Sequence, residues 1–234
     1  MNHYIYLAPP PSLLPPGRIV VAPPQPCAIR SLPYFYSVNF HGELIQVTVA
    51  KKAAHIHQWI SSICHIHHPY LHRKLLVGLD TEWLPNFAPG DDHPIAILQL
   101  CIGRHCLIVQ LLHADCIPPI LHAFLADPRH TFCGIGVQED VKKLYDHHGL
   151  RVGSTVDLND LTRLASGEDA NEYRYMGLKR MALAVLGKEM TKPKQVTLSK
   201  WDSLDLNFDQ VEYAVIDAFV SFRIAFALCS WIVN

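Results

Sequence analysis

The chain has 234 residues, half of them hydrophobic, and 20 Lys and Arg against 21 Asp and Glu give a net charge of −1 with histidine neutral. That balance excludes a strongly basic protein that coats nucleic acid non-specifically, so any grip on such a partner is local. Seven cysteines without a Cys-x-x-Cys pair argue for reduced thiols in an intracellular protein, nuclear or cytoplasmic, and against a secreted disulfide framework.

In chain order, residues 1–33 hold more than half of the seventeen prolines. Runs such as Pro9-Pro10-Pro11 and Pro15-Pro16 cannot enter a helix or a sheet interior, so this stretch reads as a disordered or extended tail. The first residues lack the basic start of a signal peptide and the Arg and Ser content of a transit peptide. A folded domain is expected over residues 34–234. Residues 34–39 and 43–50 around His41-Gly42 read as a hairpin, with Ile45, Val47 and Val49 alternating against Leu44, Gln46 and Thr48. Trp59, Ile60 and Ile63 have helical spacing, and 75–79 is a compact apolar strand. Strands at 95–102 and 105–111 are joined by Gly103-Arg104. Then come a helix over 117–126, a strand over 131–135, a helix over 137–147 stopped by Gly149, and a strand over 152–158. The remainder is helical, at 158–166, 177–188 and 208–232. Strands lead and helices follow, which predicts an α/β fold: a mixed β-sheet flanked by helices.

Residues 213–233 are apolar enough to resemble a membrane span, but Asp217 and Arg223 interrupt them. Each would cost about 2.5–3.5 kcal/mol at a helix centre in a bilayer, so a buried terminal helix is expected, and no membrane partner. The Asp in its middle then needs a partner.

Three acidic positions share that logic. Asp80 and Glu82 end the most apolar strand and lie on one face of it, because residues two apart on a strand point the same way. Two adjacent carboxylates repel unless a cation lies between them, and hard oxygen ligands suit Mg²⁺ or Mn²⁺. Asp140 follows Gly134-Ile135-Gly136 in the first turn of a helix, where the helix dipole also favours an acid. Tyr213 and Asp217 are four apart and share a helix face, so a phenol stands one turn from the buried acid.

Asp80-x-Glu82, Asp140 and Tyr213-x-x-x-Asp217, in this order, resemble the DEDDy exonucleases of the RNase H-like superfamily, whose DnaQ-like fold is the layered one expected above. The wording is similar to Werner-syndrome-type exonuclease domains. Val77-Gly78-Leu79-Asp80-Thr81-Glu82-Trp83 looks like their first motif, and Ile97-Leu98-Gln99-Leu100-Cys101 like the strand after it. Gly177-Leu178-Lys179, Leu186-Gly187-Lys188 and Ser199-Lys200-Trp201 resemble their later helices. The resemblance covers about residues 36–230 and is close to the small stand-alone plant members.

The resemblance implies 3′-5′ exonucleolytic hydrolysis, with two divalent metal ions, Mg²⁺ or Mn²⁺, and release of nucleoside 5′-monophosphates. Asp80 would bridge both ions, Glu82 and Asp217 complete the first, Asp140 support the second through water, and Tyr213 orient the attacking water. The implied partner is nucleic acid with a single-stranded 3′ end, DNA or RNA, and some members assemble as homo-oligomers, with which the high apolar content is compatible. Lys142, Lys143, Lys179 and Arg180 are candidate phosphate contacts, and Trp83 a packing or stacking residue beside the site. Ile135, Gly136 and Leu84 are candidates for an apolar wedge at the terminal base. His55, His57, Cys64, His65, His67, His68 and His72 invite a zinc site, but no cysteine pair anchors one. The alternative is a catalytically silent nucleic-acid-binding or scaffold module with the same fold, against which the complete acid set argues.

Overall fold

The computed structural model describes residues 33–67, 75–86, 88, 90–166 and 175–233. Except for Pro33, the proline-rich segment lies outside the described residues, as do His68 and His72 of the histidine-rich stretch. The expected hairpin forms from β1 (Tyr34–Phe40) and β2 (Glu43–Ala50), paired antiparallel through a turn in which His41 and Gly42 both have positive φ. Ile45, Val47 and Val49 point into the core, as their alternation predicted. Helix α1 (Ala53–Ile66) buries Ile56, Trp59, Ile60 and Ile63 along one stripe. Then follow β3 (Leu75–Trp83), β4 (Ile95–Ile102) and β5 (His105–Gln110), a single 3-10 turn at Leu111–His113, and α2 (Pro119–Ala126). The expected helix over 117–126 starts two residues late because Pro118 is extended and Pro119 takes the first turn, where its missing N–H costs nothing. The chain continues through β6 (His130–Gly134), α3 (Val137–His148), β7 (Thr155–Asp157) and α4 (Leu158–Ser166). It ends in α5 (Leu178–Leu186), the short α6 (Lys194–Thr197) and α7 (Phe208–Val233).

The seven strands form one mixed sheet in the order β1-β2-β5-β4-β3-β6-β7. β4 lies antiparallel between β5 and β3, while β3–β6, β6–β7 and β2–β5 are parallel. Every residue of β4 is buried, because helices cover both faces of the sheet. On one face Val77, Leu79, Leu98, Leu100 and Leu107 pack with residues of α1, α2 and α3. On the other, Leu76, Ile97 and Ile108 pack with α4, α5 and α7.

Helix α7 is the 26-residue terminal helix that composition alone made membrane-like. Among the described residues no helix is long and apolar enough to cross a membrane. Its apolar surface is instead buried in the core, with Val211, Val215, Phe219, Ile224 and Leu228 inaccessible. Its start is fixed by a reciprocal cap: Gln210 N donates to Asn207 Oδ1 at 2.9 Å, and Asn207 N to Gln210 Oε1 at 3.1 Å. Arg223, the second interrupting charge, pairs with Glu43 of β2, which also takes Lys188 at 2.6 Å.

One expectation is overturned. Cys101 and Cys106 are joined in a disulfide rather than left as thiols. The reason is register: the tight β4–β5 turn sets these two directly opposite, with Cα atoms 4.2 Å apart. A count of cysteines and their spacing carries no information on cross-strand register.

Candidate active site

The site begins with a glycine. On β3 the even-numbered residues face α7, so Leu76, Gly78, Asp80 and Glu82 follow one another along the same side. A Cβ on Gly78 would lie 2.0 Å from the carbonyl oxygen of Ala218 and 2.8 Å from the amide nitrogen of Phe222. Without it, the backbones of β3 and α7 approach closely, and Asp217, next to Ala218, is brought against Asp80. Beyond Asp80 the β3–β4 register shifts between Glu82 and Trp83.

Asp80, Glu82 and Asp217 converge: each offers a carboxylate oxygen, and these atoms all lie within 4.8 Å of one another. Among the described residues this is the one gathering of three acidic or His/Cys side chains that could hold a metal ion. Asp140 approaches from the opposite layer. α3 packs on the other face of the sheet, and Thr81, which faces that way from β3, donates its hydroxyl to Asp140 Oδ1 at 2.6 Å. Asp140 therefore stands beside the trio and is not one of its members. α3 is delivered by Gly136, in the left-handed conformation that glycine favours, whose N–H donates to Asp157 Oδ2 at 2.7 Å.

Burial sets the electrostatics. It pushes Asp80 well above the ordinary carboxylate range, and the neighbouring charges of Asp217 and Asp140 add to the shift. Glu82 is also raised well above its usual range by burial and then by Asp80 and Asp217. Burial lifts Asp140 to about 6 against the Thr81 hydrogen bond. Asp217, 3% exposed, is raised by burial, with Lys192 opposing. Such a set resists full ionisation until positive charge is supplied. Convergent, part-buried and all-oxygen, it fits hard divalent cations such as Mg²⁺ or Mn²⁺.

Tyr213 lies one turn before Asp217 on α7, and burial pushes its phenol up to about 12, helped by the Asp217 charge. The phenol is therefore neutral at physiological pH and keeps its proton for donation. Its ring is held 5.8 Å from that of the fully buried Trp201, whose indole N–H donates to the Thr197 carbonyl at 3.1 Å. The Thr197 hydroxyl in turn donates to Tyr213 Oη at 3.3 Å.

The residue that sequence reasoning missed is Lys192. Its Nζ lies 2.5 Å from Asp217 Oδ2 and 5.2 Å from the centroid of the Tyr213 ring. Burial works against this ammonium, but Asp217 and Asp80 outweigh it and hold Lys192 above the ordinary lysine range. A lone lysine on the loop between α5 and α6 has no spacing relation to the acids, so only the folded chain reveals it.

The candidate substrate contacts are placed less uniformly. Lys143 stacks 4.6 Å from the Trp83 ring and reaches Asp92 at 3.4 Å, and Lys142 pairs with Asp146 at 2.7 Å. Both lysines are thus engaged on α3. Trp83 is half-buried and packs on the α1–α3 side of the core. Lys179 and Arg180 are exposed in the first turn of α5. That turn follows Gly177, which lines a cleft of about 600 Å³ with Ile135, Gly136, Asp157, Arg163 and Tyr175. A second hollow, about 440 Å³, lies against Tyr213 and Ile216 and is walled by Phe40, His41, Glu189 and Pro193.

A family model described as 3′-5′ exonuclease matches residues 64–230. Among curated proteins, a 3′-5′ exonuclease of Arabidopsis thaliana is 31% identical over 150 residues, 63% of this chain and 50% of that protein. The bifunctional 3′-5′ exonuclease/ATP-dependent helicase WRN of Mus musculus is 29% identical over 145 residues, 62% of this chain and 10% of that protein. The chain thus spans half the length of the first relative and a tenth of the second. Two solved structures share the fold. Escherichia coli RNase D, an exoribonuclease involved in structured RNA processing, superposes with a TM-score of 0.61 at 20% identity, over 79% of this chain and 44% of that one. The EXO domain of Aedes aegypti Nibbler gives 0.65 at 18% identity, over 80% and 88%.

Proposed function

The chain belongs to the 3′-5′ exonuclease family, and from that premise we propose that it hydrolyses nucleic acid from the 3′ end with divalent metal ions, releasing nucleoside 5′-monophosphates. The observation that carries this reading is the convergence of Asp80, Glu82 and Asp217, whose charges raise one another's pKa even with the Lys192 ammonium beside them. In this reading Asp80, Glu82 and Asp217 would hold the divalent ions together, and Asp140 would support them from α3. When bound, Mg²⁺ or Mn²⁺ supplies a nucleophilic water at neutral pH and offsets charge on the transferring phosphoryl group.

The protein side chains do the rest. The Thr81 hydroxyl fixes the orientation of Asp140. The neutral Tyr213 phenol holds its proton at Oη and positions the attacking water, while Thr197 and Trp201 limit where the ring can point. The cleft bounded by Ile135, Gly136, Arg163 and Tyr175 receives the terminal nucleotide, with Lys179 and Arg180 near its rim for the backbone phosphates. A nuclear or cytoplasmic setting and self-association belong to the same proposal; exposed Tyr34, Phe35 and Leu44 on the edge hairpin support the latter.

The test is a matched panel of single-stranded DNA, single-stranded RNA and recessed duplex, with products identified by chromatography. Nucleoside 5′-monophosphates from at least one substrate are expected. Nucleoside 3′-monophosphates, or internal fragments, would overturn the proposal.

A further inference from the structure

Lys192 stands where a divalent ion has to act. Its ammonium lies 2.5 Å from Asp217 Oδ2, and its side chain keeps 29% of its surface exposed against 4% for Asp217. The carboxylate oxygens of the trio are within 4.8 Å of one another, so an ion held by all three meets the same Asp217 group that the ammonium occupies. The two cations repel, and an Asp217 oxygen cannot give its full charge to both. The lysine is also built to leave. It sits on the loop between Gly187, the left-handed cap of α5, and Pro193, which opens α6, and its point charge rides on a flexible four-carbon stem. From that anchor it also faces Asp80 and the Tyr213 ring, where the attacking water is expected.

We propose that Lys192 is the internal counter-ion of the metal-free site: it competes with the divalent ion for Asp217 and, once displaced, turns its ammonium to the phosphate of the bound 3′ end. This rests on the reading of Asp80, Glu82 and Asp217 as metal ligands. Lys192 holds the carboxylates together before loading and delays loading until an ion, or an ion together with substrate phosphate, outbids it. Metal and substrate then bind cooperatively, because phosphate gives the displaced ammonium a new partner.

The experiment is Mn²⁺ titration of the full chain by calorimetry, without substrate, for wild type, Lys192→Met, Lys192→Arg and Asp80→Ala. Lys192→Met is expected to bind Mn²⁺ about tenfold more tightly than wild type. Lys192→Arg, whose guanidinium grips a carboxylate through two hydrogen bonds, is expected to bind it more weakly. A non-cleavable phosphorothioate oligonucleotide should tighten Mn²⁺ binding by wild type and not by Lys192→Met. Equal or weaker Mn²⁺ affinity in Lys192→Met, with wild type binding normally, overturns the proposal. Should that variant fail to fold, Lys192→Arg decides, and unchanged or tighter affinity there has the same force. If wild type binds no Mn²⁺, or Asp80→Ala binds it as well as wild type, it is the metal-ligand reading that fails.

Discussion

At the scale of single residues, the site is defined by carboxylates that burial keeps from ionising freely. Asp140 makes this measurable, since its folded value is about 6 against an ordinary 3.8. A raised acid binds its proton more tightly in the folded state. The stabilising effect of that proton is fully present below about pH 4 and is lost as pH rises through about 6. In EDTA, wild type should therefore lose stability relative to Asp140→Asn across that window, by up to about 3 kcal/mol, or on the order of 8 °C in melting temperature. Parallel melting curves from pH 4 to pH 7 would contradict it. That Asp80 shares a face with Glu82, and Tyr213 with Asp217, was legible from spacings of two on a strand and four on a helix; that the two pairs belong to one site was implied only by the family resemblance. Lys192 was not legible, because it lies 25 positions before Asp217, on a loop separated from α7 by the short α6 and further loop, where no periodicity fixes its direction. What Lys142 and Lys143 touch was not legible either: their neighbours Asp146, Asp92 and the Trp83 ring emerge only in the fold.

At the scale of elements, the position of Asp217 depends on how closely α7 approaches β3, and Gly78 sets that distance. In Gly78→Ala the new methyl would meet backbone atoms of Ala218 and Phe222, which cannot rotate away. Overpacking a core costs about 1–3 kcal/mol where side chains can yield, and the cost here should lie at or above the top of that range. The variant is expected to melt well below wild type and to lose activity with all four acids in place; a wild-type melting temperature and full activity would refute the account of the close approach. The strands and long helices were readable from apolar periodicity, and α3 also from its flanking glycines. The 3-10 turn at Leu111–His113 and the four-residue α6 were not, since neither is long enough to display a period. β3 runs on to Trp83, past its apolar stretch, because the β4 partner continues to pair beyond Asp80.

At the scale of the molecule, the sheet gathers its site from both layers: α7 supplies Asp217 and Tyr213 from one face, and α3 supplies Asp140 from the other. The alternation of elements announced a mixed sheet flanked by helices, but not the order in which β5 and β4 insert between the hairpin and β3, since no local signal encodes strand neighbours. The edge hairpin is tied to the terminal helix by Glu43, which pairs with Lys188 and Arg223. Glu43→Ala should leave two part-buried cations without their acid, lowering stability by about 1–3 kcal/mol while the carboxylate site and low-temperature activity persist. An unchanged melting temperature would show that this tie contributes nothing.

The most direct measurement for the whole account follows a 5′-labelled single-stranded oligonucleotide through time in Mn²⁺ or Mg²⁺. The expected result is a ladder shortened one nucleotide at a time from the 3′ end, abolished by EDTA and in Asp80→Ala. A ladder that survives either treatment, or intact oligonucleotide that is bound but never shortened, would contradict a metal-dependent exonuclease centred on Asp80, Glu82 and Asp217.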